Sequence, residues 1–101
     1  MTVIVEIAVD PIGTSSTEAG NIIVEAVKTI KNMGVKFQVC PMGTCIELEN
    51  TDELGHVITA VHDAVYKAGV KRIVTTVRID DRRDKDETME YKVKRVLEGQ
   101  L

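Results

Sequence analysis

The sequence contains very few aromatic residues. They make up 3% of the 101 residues, with one phenylalanine, two tyrosines and no tryptophan. Proteins that bind single-stranded nucleic acid stack the bases on exposed rings, and this chain offers almost none. A formal net charge of −3 also disfavours a general binder of phosphate backbones, which needs a basic surface. The composition therefore argues against a nucleic-acid partner and predicts an aliphatic core.

The sequence also lacks the features of a secreted or membrane protein. The N-terminus has no basic n-region and no small-residue cleavage motif. No apolar run approaches the ~20 residues of a membrane-spanning helix. The two cysteines, Cys40 and Cys45, are too few for a disulfide framework. We therefore expect a cytoplasmic protein without a membrane partner.

No motif for catalysis or for a cofactor is evident. The sequence has neither a phosphate-binding loop nor a dinucleotide fingerprint. His56 and His62 accompany no serine or cysteine nucleophile in an evident arrangement, and no carboxylate pair indicates acid–base catalysis. Two sulfurs also fall short of the four ligands of a structural zinc site. We expect no enzymatic activity, no metal and no cofactor.

Hydrophobic periodicity divides the chain into seven elements. Residues with a period of two predict four strands, over 2–10, 35–40, 44–49 and 71–80. Apolar stripes at helical spacing predict three helices, one from near Ser15 to Gly34, one from Asn50 or Thr51 to Gly69, and a short one after residue 87. The spacing of Ser15 and Glu18 is that of a capping box.

The order of these elements indicates the fold. It predicts a single α+β domain over residues 1–101, a ferredoxin-like βαββαβ sandwich with a four-stranded antiparallel sheet, two helices on one face and an extra C-terminal helix. An internal repeat supports it, because Gly34-Val35-Lys36 recurs as Gly69-Val70-Lys71 at equivalent positions of the two halves.

Two helices cover only one face of such a sheet. The period of two assigns a mainly aliphatic set to that face: Val3, Val5, Ile7, Val9, Val35, Phe37, Val39, Ile46, Leu48, Ile73, Val77 and Ile79. The opposite face carries a mixed set: Ile4, Glu6, Ala8, Gln38, Cys40, Cys45, Glu47, Val74, Thr76 and Arg78. We interpret this face, termed the open face below, as an interface between copies of the chain that encloses a small polar cavity. The alternative is an ordinary exposed sheet face.

Two features of the open face have more than one interpretation. Cys40 and Cys45 flank a tight turn and could pack as reduced thiols, form a redox-switchable cross-strand disulfide, or bind a metal. Glu47 could pair with a cationic ligand or form a salt bridge with Arg78 across the interface.

A dense run of mixed charge follows the last strand, from Asp80 to Lys85. Such runs are typical of a solvated loop. Alternatively, Arg82 and Arg83 could bind an anion or pair with acidic residues of a neighbouring subunit.

Three segments resemble the thiamine-binding (YkoF-like) family of small archaeal, bacterial and yeast proteins. They are Pro41-Met42-Gly43-Thr44-Cys45-Ile46-Glu47, residues 64–85, and Pro11-Ile12-Gly13-Thr14 with the two serines that follow. The resemblance implies a ferredoxin-like fold and assembly into dimers and tetramers. It also implies that some members bind thiamine or its hydroxymethylpyrimidine part. Thr44 and Glu47 would then line the pocket beside Thr76, and Leu48 stands where the family often has glycine.

The chemistry of the open-face residues agrees with such a ligand. Glu6 or Glu47 could offset the charge of a thiazolium, and a pyrimidine edge could be read by polar side chains, namely Gln38, Thr44 and Thr76. We therefore predict a non-enzymatic binder of a thiamine-like molecule at a subunit interface of a homo-oligomer. The alternatives are an ACT-like module that senses a metabolite and an oligomeric scaffold without a ligand.

Overall fold

Four strands and three helices follow one another in the predicted order. The computed structural model describes residues 2–100. The elements are β1 (Val3–Pro11), α1 (Gly20–Asn32), β2 (Lys36–Cys40), β3 (Gly43–Leu48), α2 (Asp52–Lys67), β4 (Ile73–Asp81) and α3 (Met89–Gln100). The predicted α+β, ferredoxin-like class is confirmed.

The strands form one antiparallel sheet in the order β2-β3-β1-β4. β1 is a central strand and pairs on both sides. Its ladder with β3 runs from Val3↔Leu48 to Ile7↔Thr44, whereas its ladder with β4 continues to Pro11↔Ile73. β1 therefore extends beyond the start of β3 while it is still paired with β4.

The core lies between the sheet and the first two helices. Alternate residues of β1 are buried, and those of β3 that share their face, such as Ile46, are buried with them. The helices contribute one apolar stripe each: Ala26 and Ile30 from α1, and Leu54, Val57, Val61 and Val65 from α2. The side chains form a single aliphatic cluster, as the small number of aromatic residues predicted.

The glycines that were expected to end the helices do so. Gly34 follows α1 with φ +75° and Gly69 follows α2 with φ +99°. This left-handed conformation is strained for residues with a Cβ, and it turns the chain back toward the sheet.

The predicted start of α1 is wrong. The helix begins at Gly20, and its N-cap, Ala19, makes no side-chain capping bond. Upstream, the Ser16 Oγ accepts a hydrogen bond from the Glu18 N–H, and the Thr14 hydroxyl donates to the Ser16 carbonyl. These local bonds give the segment a turn conformation that competes with the helix.

Two residues assigned to the core are half-exposed instead. Val39 is 56% exposed and Ile79 is 50% exposed. They lie on β2 and β4, the edge strands, and the helices do not cover them completely. The other element boundaries differ from the predicted ones by one or two residues, which is ordinary for chain ends.

Ile46 provides a test of this packing. Its side chain is fully buried in β3, so Ile46→Ala should lower the free energy of unfolding by about 2–5 kcal/mol through lost burial and the cavity left behind. Urea denaturation measures the change. Val24, 48% exposed on α1, is the matched control, and Val24→Ala should change stability by less than about 0.5 kcal/mol. Equal losses at the two positions would contradict the assigned core.

Candidate functional site

The predicted site residues lie on both faces of the sheet. Glu6, Gln38, Glu47 and Thr76 occupy the open face, whereas Thr44 is on the helix-covered face and is 7% exposed. Thr44 is separated from Glu47 because the residues lie three positions apart on β3, and an odd separation places side chains on opposite faces. A single small ligand within one chain therefore cannot contact both side chains on the same face.

One row of the open face brings several predicted residues together. Gln38 lies opposite Cys45, Cys45 opposite Glu6, and Glu6 opposite Arg78, so the row crosses all four strands. Thr76 lies opposite Ala8, one row further along. The row places an amide, a thiol, a carboxylate and a guanidinium side by side on this face.

Glu47 has partners within the chain. The Met89 N–H donates to Glu47 Oε1 at 2.6 Å, and the Lys36 ammonium lies 3.3 Å from Glu47 Oε2. A carboxylate at the N-terminus of α3 is favoured by the helix dipole. Within the chain Glu47 therefore forms a salt bridge with Lys36, and the pairings with a cationic ligand or with Arg78 across an interface stay predictions.

Two further ion pairs hold α3 beside the open face. Lys36 donates to Glu90 at 2.7 Å, and Lys92 pairs with Asp80. The bond to Glu90 is the main cause of a raised pKa of Lys36. α3 therefore contacts part of the open face, which α1 and α2 do not cover.

Arg82 and Arg83 make local ion pairs. Arg82 bonds to Asp84 at 2.8 Å and to Glu87 at 2.5 Å, and Arg83 bonds to Asp81 at 2.9 Å. The guanidinium groups lower the pKa of Asp84 and of Asp81. Both arginines are exposed, so these contacts are consistent with the solvated-loop interpretation.

Cys40 and Cys45 are free thiols on the open face. Their Sγ atoms are 3.9 Å apart, and Cys45 Sγ lies 4.0 Å from a carboxylate oxygen of Glu6. Burial, with additional contributions from Cys40 and Glu6, raises the pKa of the Cys45 thiol to about 11. The thiolate of Cys45 is therefore scarce near neutral pH.

A cavity of about 210 Å³ lies where β1 extends beyond β3, and we term it the edge cavity. Its walls come from β1, α1, α2 and the turn between β2 and β3. The lining residues are Ile7, Ala8, Val9, Asp10, Ile23, Ala26, Ile30, Cys40, Pro41, Met42, Gly43, Thr44 and Val61. Thr44 was predicted from the sequence, whereas the cavity itself was not.

The backbone of Val9 lies beside this cavity, beyond the end of the β1–β3 ladder. The Ile12 N–H donates to the Arg72 carbonyl at 2.9 Å, which continues the ladder between β1 and β4. Backbone groups alternate sides along a strand, so even-numbered residues of β1 bond toward β4 and Val9 points away from β4. The ladder with β3 ends at Ile7↔Thr44, so within residues 2–100 no strand residue pairs with Val9 on that side.

Pro11 is consistent with a stretch of β1 that has no neighbouring strand on the side of β3. It falls on the same side as Val9 and has no N–H, which suits a position without a neighbouring strand. Val9 is itself 5% exposed, and buried backbone groups generally require a hydrogen-bond partner. The end of the β1–β3 ladder therefore leaves the N–H and C=O of Val9 without a β3 partner beside the edge cavity.

A larger groove of about 520 Å³ lies at the other end of the sheet. Its lining includes Lys36, Glu47 and Glu53. Lys36 and Glu47 pair with each other, and Glu53 accepts a hydrogen bond from the Glu49 N–H. Because these charged groups already have partners, the groove is a weaker candidate than the edge cavity.

The structure is that of a small α+β protein of the ferredoxin-like class with a mainly apolar cavity at one end of its sheet. Residues 5–97 match the family described as thiamine-binding protein. The chain belongs to this family.

Relatives of similar length support the assignment. The chain is 42% identical over 93 residues to a UPF0045 protein of Methanothermobacter thermautotrophicus, covering 92% of this chain and 94% of the relative. It is 37% identical over 97 residues to a UPF0045 protein of Bacillus subtilis, covering 92% of each.

Solved structures have the same fold. A Methanocaldococcus jannaschii protein, named only as hypothetical, superposes with a TM-score of 0.84 at 29% identity and covers 96% of this chain and 97% of its own. A Thermotoga maritima protein, whose name assigns it provisionally to thiamine biosynthesis or salvage, superposes with a TM-score of 0.80 at 26% identity, covering 95% of this chain and 99% of its own. None of the helices within residues 2–100 is long and apolar enough to cross a membrane.

The contact between Glu47 and α3 can be tested by hydrogen exchange. Glu47→Ala removes both the acceptor for the Met89 N–H and the partner of Lys36. A charge-assisted bond contributes about 1.5–3 kcal/mol, so amides of α3 should exchange at least about tenfold faster while the central strands keep their protection. Glu49→Ala, at an exposed position just after β3, is the control and should leave α3 unchanged. Unaltered protection of α3 in Glu47→Ala would contradict the assigned contact.

The alkylation rate of Cys45 should continue to rise at pH values where the rate of an ordinary thiol has levelled off. Because its pKa is raised to about 11, alkylation by iodoacetamide should increase about tenfold per pH unit from pH 7 to pH 10. Peptide mapping by mass spectrometry follows Cys45 separately from Cys40. Glu6→Gln removes one contribution to the raised pKa and should increase the rate at any given pH. A rate that levels off near pH 9, as for an ordinary thiol, would show that the environment of Cys45 is assigned incorrectly.

Proposed function

We propose that this protein is a non-catalytic binder of thiamine or of its hydroxymethylpyrimidine part, with the pyrimidine ring in the edge cavity. The observation that supports it is the end of the β1–β3 ladder at Ile7↔Thr44, which leaves the backbone of Val9 without a β3 partner beside a mainly apolar cavity of about 210 Å³. Membership of the thiamine-binding family supports the choice of ligand. Sites for small molecules are typically apolar with a few placed polar groups, and the edge cavity has this composition.

The edge of an aminopyrimidine complements the backbone of Val9. The exocyclic amine donates and the adjacent ring nitrogen accepts, so the ring can pair with one carbonyl and one N–H. Ile23, Ala26 and Ile30 would contact the faces of the ring, and the Thr44 hydroxyl adds a further polar group on the wall. Among residues 2–100 no aromatic side chain lines the cavity, so the ring would pack on aliphatic groups and the affinity would be modest.

The size of the cavity limits how much of the ligand it can hold. Pockets for drug-sized molecules have volumes of about 300–1,000 Å³, and this one is smaller. It suits a single ring, which leaves the thiazolium of thiamine at the mouth. Asp10, an exposed lining residue, would place a carboxylate near this cation.

We further propose that the protein is a cytoplasmic homo-oligomer that assembles through its open face. Val74 on this face is 44% exposed, and α3 exposes three apolar residues, Val93, Val96 and Leu97. In such an assembly Glu6, Gln38, Glu47 and Thr76 of one chain would face a second copy. An interfacial ligand site formed by these residues is the alternative to the edge cavity.

Calorimetry and thermal shift with hydroxymethylpyrimidine and thiamine test the binding. Ligand at 100 times its dissociation constant should stabilise the protein by about 2.7 kcal/mol. Ala26→Leu places three additional carbons beside the cavity and should weaken binding at least about tenfold, whereas Ala68→Leu at an exposed position should not. Thr44→Val, paired with Thr59→Val as its exposed control, is a second variant in case Ala26→Leu folds poorly.

The results of these binding measurements distinguish a ligand in the edge cavity from a ligand on the open face. If neither compound binds to protein freed of co-purified ligand, the proposed function is wrong. If Glu6→Gln and Gln38→Ala abolish binding while Ala26→Leu has no effect, the ligand lies on the open face.

The pairing with Val9 is tested by a ligand analogue. A pyrimidine with a hydrogen atom in place of the amine keeps the ring nitrogen as an acceptor but has no donor for the Val9 carbonyl. It should bind at least about tenfold more weakly, because one of the two hydrogen bonds cannot form. Equal binding of the two compounds would contradict recognition by the Val9 backbone.

A further inference from the structure

The β2–β3 hairpin carries two thiols on the same face. Cys40 ends β2 and lies opposite Gly43, whereas Cys45 lies opposite Gln38, so the cysteines are diagonal neighbours across the hairpin. Their Sγ atoms are 3.9 Å apart and both side chains are half-buried. A disulfide requires a separation of about 2.05 Å, so the two sulfur atoms must approach each other further when the bond forms.

The two cysteines lie next to the edge cavity. Cys40 and the turn residues that follow it, Pro41, Met42 and Gly43, line the cavity. The pair Cys40↔Gly43 closes this turn. A bond between Cys40 and Cys45 would cross-link the end of the hairpin that forms one wall of the cavity.

We propose that Cys40 and Cys45 are a redox modification site, which low-molecular-weight disulfides oxidise to a reversible intramolecular disulfide that restrains the turn at the edge cavity. This inference does not depend on the identity of any ligand. It assigns the two thiols a chemical role in addition to packing as small side chains.

Oxidation by a small disulfide takes two steps, and the structure indicates which thiol reacts first. Glu6 faces Cys45 at 4.0 Å and opposes its ionisation, so Cys40 is the first nucleophile. The Cys40 thiolate attacks one sulfur of the oxidant; a Cys40–oxidant disulfide forms, the S–S bond of the oxidant breaks, and one thiolate leaves.

The second step completes the exchange. Cys45 loses its proton and attacks Cys40 Sγ, which forms the protein disulfide and expels the second thiolate of the oxidant. The two protons lost by the cysteines end on the two released thiols. Two protein thiols are thereby oxidised and one small disulfide is reduced to two thiols.

Mass spectrometry of the full chain in glutathione redox buffers tests the site. With increasing oxidised glutathione the wild type should lose about 2 Da, and dithiothreitol should restore the original mass. Cys45→Ser should stop at an adduct about 305 Da heavier, because the second thiol is missing. Cys40→Ser should react at least tenfold more slowly than Cys45→Ser.

Three results would overturn the proposal. They are a wild type that keeps both thiols, one that accumulates only the glutathione adduct, and one whose disulfide joins two chains. Non-reducing gel electrophoresis distinguishes the last case.

Hydrogen exchange tests the restraint of the turn. Amides of residues 42–44 should exchange at least threefold more slowly in the oxidised wild type than in the reduced wild type. The Cys40→Ser variant should show no difference between the two buffers. Unchanged exchange in the oxidised wild type would show that the disulfide does not restrain the wall of the cavity.

Discussion

The alternation of backbone and side chains along β1 determines most of this structure. Its odd-numbered side chains enter the core, its even-numbered side chains form the centre of the open face, and its backbone bonds to β4 and β3 in turn. Since β1 is longer than β3, the same alternation leaves the backbone of Val9 without a strand partner on the side of β3. Aliphatic packing and the polar groups of the edge cavity thus arise from one strand.

Electrostatic contacts position α3 on the opposite side of the sheet. Glu47 accepts the Met89 N–H, and Lys36 bridges Glu47 and Glu90. Lys36 and Glu90 are largely exposed, so the ion pair between them contributes modestly to stability and salt weakens it. The apolar side chains of α3, except Met89, remain largely exposed beside the open face, which is consistent with the proposed association of copies.

The candidate site could be predicted only in part. The resemblance to the thiamine-binding family led to Thr44, which does line a cavity, but it grouped Thr44 with Glu47 on the other side of the sheet. Val9 was not predicted as a site residue because its proposed role belongs to its backbone. Nearly every residue has the same backbone groups, so its side chain gives no signal for that role. One sequence signal was available, since the predicted first strand is longer than the predicted third and ends at Pro11.

The sequence by itself determined the order of elements, the burial pattern of the strands and the aliphatic core, because these follow from local periodicity and composition. It also determined the ends of α1 and α2, where only glycine readily adopts a positive φ. Only the tertiary structure decided that Glu47 binds α3, that the thiols of Cys40 and Cys45 lie 3.9 Å apart and that β1 extends beyond β3. These features depend on strand register and on contacts between residues distant in sequence, and periodicity does not encode either.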